Sequence, residues 1–245
     1  MLPRICRCLA VASLAVAAGC ASREPQPGEP PFTPASASEL QDIAGVYAYE
    51  LDGTRRLEIG TGGGYEETIE GSCFETPPDE GDVGTDSGVI VLRPEKRPLE
   101  RIRMVSVAWG ERRYLLEERD VPEFCQRVKS GDEPRRGAKG LFYLREGDWN
   151  RSAAGEPGVP QEWRAFLSEE ARLGKVTWVE GDGRAWTSLN AAEVAKGRKV
   201  YVECARGWED AEVVDVTEKD SVVRLVVEGE EIRAGARVAT VKPGE

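Results

Sequence analysis

The sequence predicts a mainly β chain with one or two helices, in which an antiparallel meander that closes on itself is followed by a second, smaller β-barrel. Three observations carry this. Short runs of alternating apolar and polar residues recur about every ten residues from position 45 onward, separated by Gly, Pro and Asp clusters. Only two segments, 120–131 and 160–174, combine helical periodicity with helix start and stop residues. The length of 245 residues, with 40% hydrophobic and 31% charged residues, exceeds one small core and suits two modest domains.

The first element is a leader. Met1 to Arg7 carries two positive charges, and 8–18 (CLAVASLAVAA) is an apolar run of eleven. That is too short to span a bilayer as a helix, which needs about 20 residues, and it fits an export signal over 1–19. The residues that follow, Val16-Ala17-Ala18-Gly19-Cys20, resemble the lipobox of bacterial lipoproteins. Gly19 and Cys20 match it, and Ala17 stands where that family prefers Leu. The resemblance implies cleavage before Cys20 and acylation of its thiol, giving a stable membrane anchor through more than one chain. Ala21, where Asp would signal retention in enteric-type bacteria, implies delivery to the outer membrane, facing the periplasm. The alternative is ordinary cleavage at Ala15-Val16-Ala17, which leaves Cys20 a plain thiol. Residues 20–38 then form the anchor and a proline-rich linker, which extended at about 3.1 Å per residue reaches roughly 50 Å.

Residues 39–158 make the first domain. Strands are expected at 45–51, 55–60, 64–71, 87–94, 99–109, 112–118 and 140–146, with Asp52-Gly53 as a hairpin turn and 78–88 as an acidic, glycine-rich loop. A helix starts at Asp120, carries Pro122 in its first turn and stops near Gly131. The order of G-x-Y, Asp-Gly turn, Gly-rich turn and aromatic strand resembles small lipocalin-like or meander domains of secreted bacterial proteins, which implies a fold and no activity. A bridging helix over 159–174 places Trp163, Phe166, Leu167 and Ala171 on one stripe. Strands then alternate through 175–245. Gly174, Val176, Val179, Ala185, Leu189, Gly197 and Val200, with Gly235 to Val238 near the end, resemble in spacing the SH3-like β-barrels that end several bacterial envelope proteins. Ala236 departs from the acidic or amide residue usual there.

The chemistry is bounded first by an absence: the chain has no histidine. Ser-His-Asp and Cys-His nucleophiles, His-ligated zinc and the commonest general base near neutral pH are removed, so the chain reads as non-enzymatic. Two acids converging in one cleft are what a carboxylate enzyme would need. The formal charge of −11 repels phosphate backbones, which excludes nucleic acid as a partner, and it offers no polybasic patch for lipid. In an oxidising compartment Cys73 and Cys125 are paired as a candidate disulfide, closing a loop that contributes about 4 kcal/mol. Cys204 is left over as an inert thiol. Gly60 to Tyr65 (GTGGGY) fails the dinucleotide fingerprint and reads as a turn. The acids Asp79, Glu80, Asp82 and Asp86 do not match a calcium loop, and no metal or other cofactor is expected. Trp178 and Trp186, eight apart and of equal parity, are expected opposite each other on one sheet face, where they pack or offer a recognition surface.

The expectation is therefore a lipid-anchored envelope protein, acting as a non-enzymatic binding or structural module for an envelope protein or cell-wall component. The alternative is a carrier of a small apolar ligand, for which a cavity of several hundred Å³ inside the first barrel is the discriminating feature.

Overall fold

In the computed structural model, residues 31–50, 54–70, 77–132, 134, 142–180, 183–225 and 231–242 are described. Two closed antiparallel barrels follow one another. The first is a pure meander of eight strands: β1 (Gly45–Glu50), β2 (Thr54–Ile59), β3 (Gly64–Glu70), β4 (Asp79–Asp86), β5 (Val89–Pro94), β6 (Ile102–Trp109), β7 (Arg112–Glu117) and β8 (Phe142–Arg145). Each pairs with the next, and β8 returns to β1 through Tyr47 opposite Arg145. Closure removes both sheet edges, which is how an all-antiparallel sheet avoids unpaired backbone. Strand alternation then sets the interior. Tyr47, Leu57, Tyr65, Val83, Ile90, Met104 and Leu115 share one buried cluster, and their neighbours in sequence face outward.

Three features depart from expectation. The segment read as an acidic loop is β4. Its inward positions include Gly81, where a Cβ would lie 2.0 Å from the Arg93 carbonyl oxygen, so the strand can pass there only as glycine. The end of the expected linker is not a free spacer. Ala35 N donates to Val83 O at 3.1 Å and Thr85 N to Thr33 O at 3.0 Å, so residues 33–35 cover the end of β4 that extends beyond β3. The Arg93 guanidinium lies 4.3 Å from the centre of the Phe32 ring. A short helix, α1 (Ala37–Ile43), follows directly. It starts at a capping box in which Ser36 and Glu39 bond each other's backbone N–H, a sequence signal present in Ser36-Ala37-Ser38-Glu39. Leu40 and Ile43 of α1 join the barrel cluster, and Tyr47 Oη donates to Ile43 O at 2.8 Å, so α1 plugs the lower end of the barrel.

The third departure is the bridging helix. Residues 161–167 form a 3-10 turn rather than an α-helix, after Pro160, and a strand begins at Leu173. Spacing of three per turn still aligns Trp163 with Phe166, and both are buried. The helix at 120–131 is found as α2 (Val121–Ser130), ended by Gly131 at φ 74°, the left-handed stop expected of glycine. It follows a 3-10 turn at Glu118–Asp120 and packs outside the first barrel, where Phe124 meets Tyr114 and Phe142 edge-on at 5.3 and 5.7 Å.

The second barrel has six strands: β9 (Leu173–Val179), β10 (Arg184–Thr187), β11 (Lys199–Cys204), β12 (Gly207–Val216), β13 (Ser221–Leu225) and β14 (Arg237–Ala239). They close in the order β10-β13-β12-β11-β14-β9. Its core is built mostly from small side chains, among them Val176, Ala185, Val200, Ala211, Val223 and Val238, with Leu189 and Ile232 as the larger members, as suits a narrow barrel. One cluster joins the barrels: the outer face of β6–β8, α2, Trp163 and Phe166 meet Trp208 and Ala239 of the second barrel. Phe166 lies between Trp163 at 6.0 Å and Trp208 at 6.1 Å. The Lys129 ammonium adds a bond to Ala171 O at 2.8 Å.

Candidate binding site

With α1 across the lower end, a free space among the described residues lies at the upper end of the first barrel. There a cavity of about 520 Å³ lies between the strands and the 95–101 loop. Its floor is apolar, formed by Leu57, Leu92, Ile102 and Met104. Above the floor the same inward parity carries polar groups. Register places Arg55 on the face of Leu57, Glu67 opposite Leu57, Glu117 opposite Met104 and Tyr143 opposite Leu115. The rim adds Arg97, Glu100, Arg101, Arg103, Glu118 and Arg119.

These groups are tied together. Tyr143 Oη donates to Glu67 Oε1, and Arg55 donates to the same oxygen at 3.3 Å. Burial, with the Glu67 charge beside it, holds the Tyr143 hydroxyl above the ordinary tyrosine range, so it stays a donor at neutral pH. Asp79, opposite Glu67 in the register, accepts from the Arg97 guanidinium at 2.7 Å. Arg119 Nε lies 2.6 Å from Glu117 Oε2. Burial nevertheless pushes the Glu117 carboxyl above its usual range, the Arg119 charge only partly offsetting it. On the outer side of the rim Arg103 bridges Glu118 at 2.5 Å and Asp86 at 2.7 Å. Leu99, on the 95–101 loop, is 63% exposed. The arrangement is a cup with an apolar base and a charged neck, able to hold a molecule that has both characters.

Of the residues singled out from sequence, Cys20 and Cys73 lie outside the described residues. Cys125 is a free thiol on α2, fully buried in the cluster between the barrels. Burial pushes this thiol up to about 12, so it is an inert side chain rather than a nucleophile. Cys204 ends β11, half-buried at the edge of the second core. Trp178 and Trp186 are direct partners across β9 and β10, as their parity requires. Both point away from the core residues Val179 and Ala185. Trp178 is 65% exposed, while Trp186 donates its Nε1 to Glu180 at 3.1 Å. They lie on the second barrel, outside the residues that line the cavity. Among the described residues no group of three His, Cys, Asp or Glu side chains is placed to hold a metal.

Arg55, Glu67, Glu117 and Tyr143 were not singled out from sequence. The signal was there: each sits at the parity of its strand's apolar residues, Arg55 with Leu57 and Ile59, Glu67 with Tyr65, Glu117 with Leu115. A charge on the apolar parity of a barrel strand points to a wet interior. Comparison with protein-family models, with curated proteins and with solved structures found no match for this chain.

Proposed function

We propose that this chain is a lipid-anchored, non-enzymatic binding protein of the bacterial envelope whose first barrel is a ligand cup. The observation that carries the reading is the cavity itself: a space of about 520 Å³ among the described residues at the end of the barrel away from α1, with apolar floor and polar neck. A barrel serving only as a spacer has no reason to leave that volume unfilled, and the core of the second barrel is packed by Val and Ala side chains with Leu189 and Ile232. The charged neck favours a ligand with a polar head over the wholly apolar one considered from sequence. The lack of histidine supports binding rather than catalysis, and the −11 charge supports a partner other than nucleic acid. The anchor rests on the Val16 to Cys20 sequence, and the second barrel is a rigid platform on which an envelope protein or cell-wall component is met.

The test is native mass spectrometry of the full chain extracted from membranes, beside Ile102→Trp, which fills the cavity, and Cys20→Ala. The reading expects one small molecule bound per wild-type chain, lost in Ile102→Trp, and Cys20→Ala released from the membrane. An empty wild type, or equal loading of the filled variant, overturns the cup. A Cys20→Ala chain that stays equally membrane-bound overturns the anchor.

A further inference from the structure

At the lower end of the first barrel, beside α1, one row of strand positions carries two adjacent arginines. Pairing sets Ala108 opposite Arg113 and Arg145 opposite Tyr47, on the parity of Met104, Leu115 and Tyr143. Tyr114 pairs with Leu144, so the next rung places Arg113 beside Arg145. Like charges directly opposite on one face are destabilising, their Cβ atoms being about 5 Å apart. No acid of the chain relieves this pair. Arg145 donates Nη2 to the Ala44 carbonyl at 3.0 Å, where α1 ends. Arg113 uses its backbone N–H, to Asp148 Oδ2 at 3.0 Å, and its exposed guanidinium has no partner among the described residues. Burial holds the Tyr47 hydroxyl above its ordinary range while Arg145 and Arg113 act against it, so both charges lie near one buried group.

The two arginines line a cavity of about 510 Å³ that shares no lining residue with the cup. Its acids are already engaged. Asp148, with a side chain 6% exposed, holds Arg151 at 3.2 Å, and Glu146 holds Arg56 at 3.3 Å. Glu111 is exposed at the β6–β7 turn, where it accepts from Ser152 N at 3.3 Å. What remains is two guanidiniums against that one carboxylate. The wall is held in place by backbone bonds from Glu111 N to Ser152 O at 3.0 Å and from Gly158 N to Ala108 O at 2.7 Å, so the cavity is formed before any ligand arrives.

Independently of the cup, we infer that this lower cavity is a second binding site, for a phosphate monoester whose head bridges Arg113 and Arg145. The bridge replaces repulsion between the arginines with charge-assisted hydrogen bonds. A planar carboxylate is filled by one guanidinium fork, whereas a tetrahedral phosphate has oxygens for two forks that come from separate strands. The net charge of −11 opposes anions at long range, but charges more than about 8 Å away are largely screened at physiological salt, and the two guanidiniums act at contact. A soluble ester and a lipid headgroup share this chemistry.

The experiment is calorimetric titration of the full chain carrying Cys20→Ala, in phosphate-free and detergent-free buffer, with phenyl phosphate, benzoate and dihexanoyl phosphatidic acid below its micelle concentration. Phenyl phosphate is expected to bind at one per chain and about tenfold tighter than benzoate. Arg113→Gln and Arg145→Gln are each expected to weaken it about tenfold, with circular dichroism confirming that the variants are folded. Arg113 is exposed, so its variant decides the matter should Arg145→Gln fail to fold. Ile102→Trp, which fills the cup, is expected to bind phenyl phosphate as the parent does. Tighter binding of the phosphatidic acid than of phenyl phosphate supports the site with a lipid headgroup as its ligand, and equal or weaker binding supports it with a soluble ester. Benzoate binding as tightly as phenyl phosphate overturns the phosphate class. Unchanged binding in folded Arg113→Gln, loss of binding in folded Ile102→Trp, or no saturable binding by the parent overturns the site. The cup is read by the loading of its own cavity and fails or stands separately.

Discussion

Phe166 is the residue on which the union of the two barrels can be tested most directly. It is fully buried, in a 3-10 turn that belongs to neither barrel, and its ring lies about equally far from Trp163 and from Trp208 of the second barrel. Truncation to alanine removes the transfer free energy of a benzyl group and leaves a cavity between two closed sheets, neither of which can collapse into it without breaking its own ladder. Measured Phe→Ala changes at such sites cost about 3–5 kcal/mol. For a cooperative unit in the range of 150–250 residues each kcal/mol moves the midpoint by about 2–4 °C, so Phe166→Ala is expected to melt roughly 6–20 °C below wild type. Scanning calorimetry is the assay, since it also reads cooperativity. With the joint weakened, the single wild-type transition is expected to broaden or split as the barrels melt separately. Phe166→Leu, which keeps most of the volume, is expected to recover at least half of the loss. A drop of less than about 2 °C with unchanged cooperativity would refute the claim that this cluster holds the barrels together.

Two further predictions concern the barrels themselves. Gly81→Ala pushes a methyl against the Arg93 carbonyl oxygen across the β4–β5 ladder and is expected to cost about 3 kcal/mol, the upper end of overpacking penalties; urea midpoints within error of wild type would show that the strands are not as close as described. Glu203 and Glu117 are expected to respond to pH in opposite senses. Burial alone would raise Glu203, but the two bonds from Arg237, at 2.8 and 2.6 Å, outweigh it and hold the carboxyl below its usual range. Its stabilisation is therefore present above the unfolded value of about 4.3 and lost as pH falls through the lower folded value. Glu117, held high by burial, contributes fully below about 4.3 and loses that contribution as pH rises through its folded value. Glu203→Gln should thus be less stable than wild type at pH 7, Glu117→Gln more stable, and both differences should shrink toward pH 3. Thermal melts at pH 3, 5 and 7 check this, and two differences of the same sign at pH 7 would contradict it.

Much of the architecture was legible in sequence because barrel strands are specified locally. Alternation with period two, bounded by glycine, marks Gly45–Glu50, Thr54–Ile59 and Gly64–Glu70 within a residue or two, and a meander needs no more than the order of its strands. The same rule placed Trp178 opposite Trp186. Local reading failed where the deciding contact was distant. The acids at 79, 80, 82 and 86 look like a solvated loop until Gly81 and Gly84 are seen to be crossed closely by Arg93 and Thr33. The 160–174 stripe fits an α-helix or a 3-10 turn equally well over its first turns, and the choice came from where Trp163 and Phe166 had to meet the second barrel.

What the amino-acid sequence determined by itself is therefore the class of the chain: two successive antiparallel barrels, a strongly acidic surface, no histidine chemistry, and the Cys20 motif on which the anchor reading rests. What only the tertiary structure decided is the cup. Arg55, Glu67, Glu117 and Tyr143 come from strands up to 88 positions apart in sequence, and each one taken alone is an ordinary surface-type residue. Closure of β8 onto β1 turns their shared parity into a shared interior, and α1 shuts the other end. A periodic pattern reports which face a side chain takes; only the closed register reports which other side chains share it, and how much room is left between them.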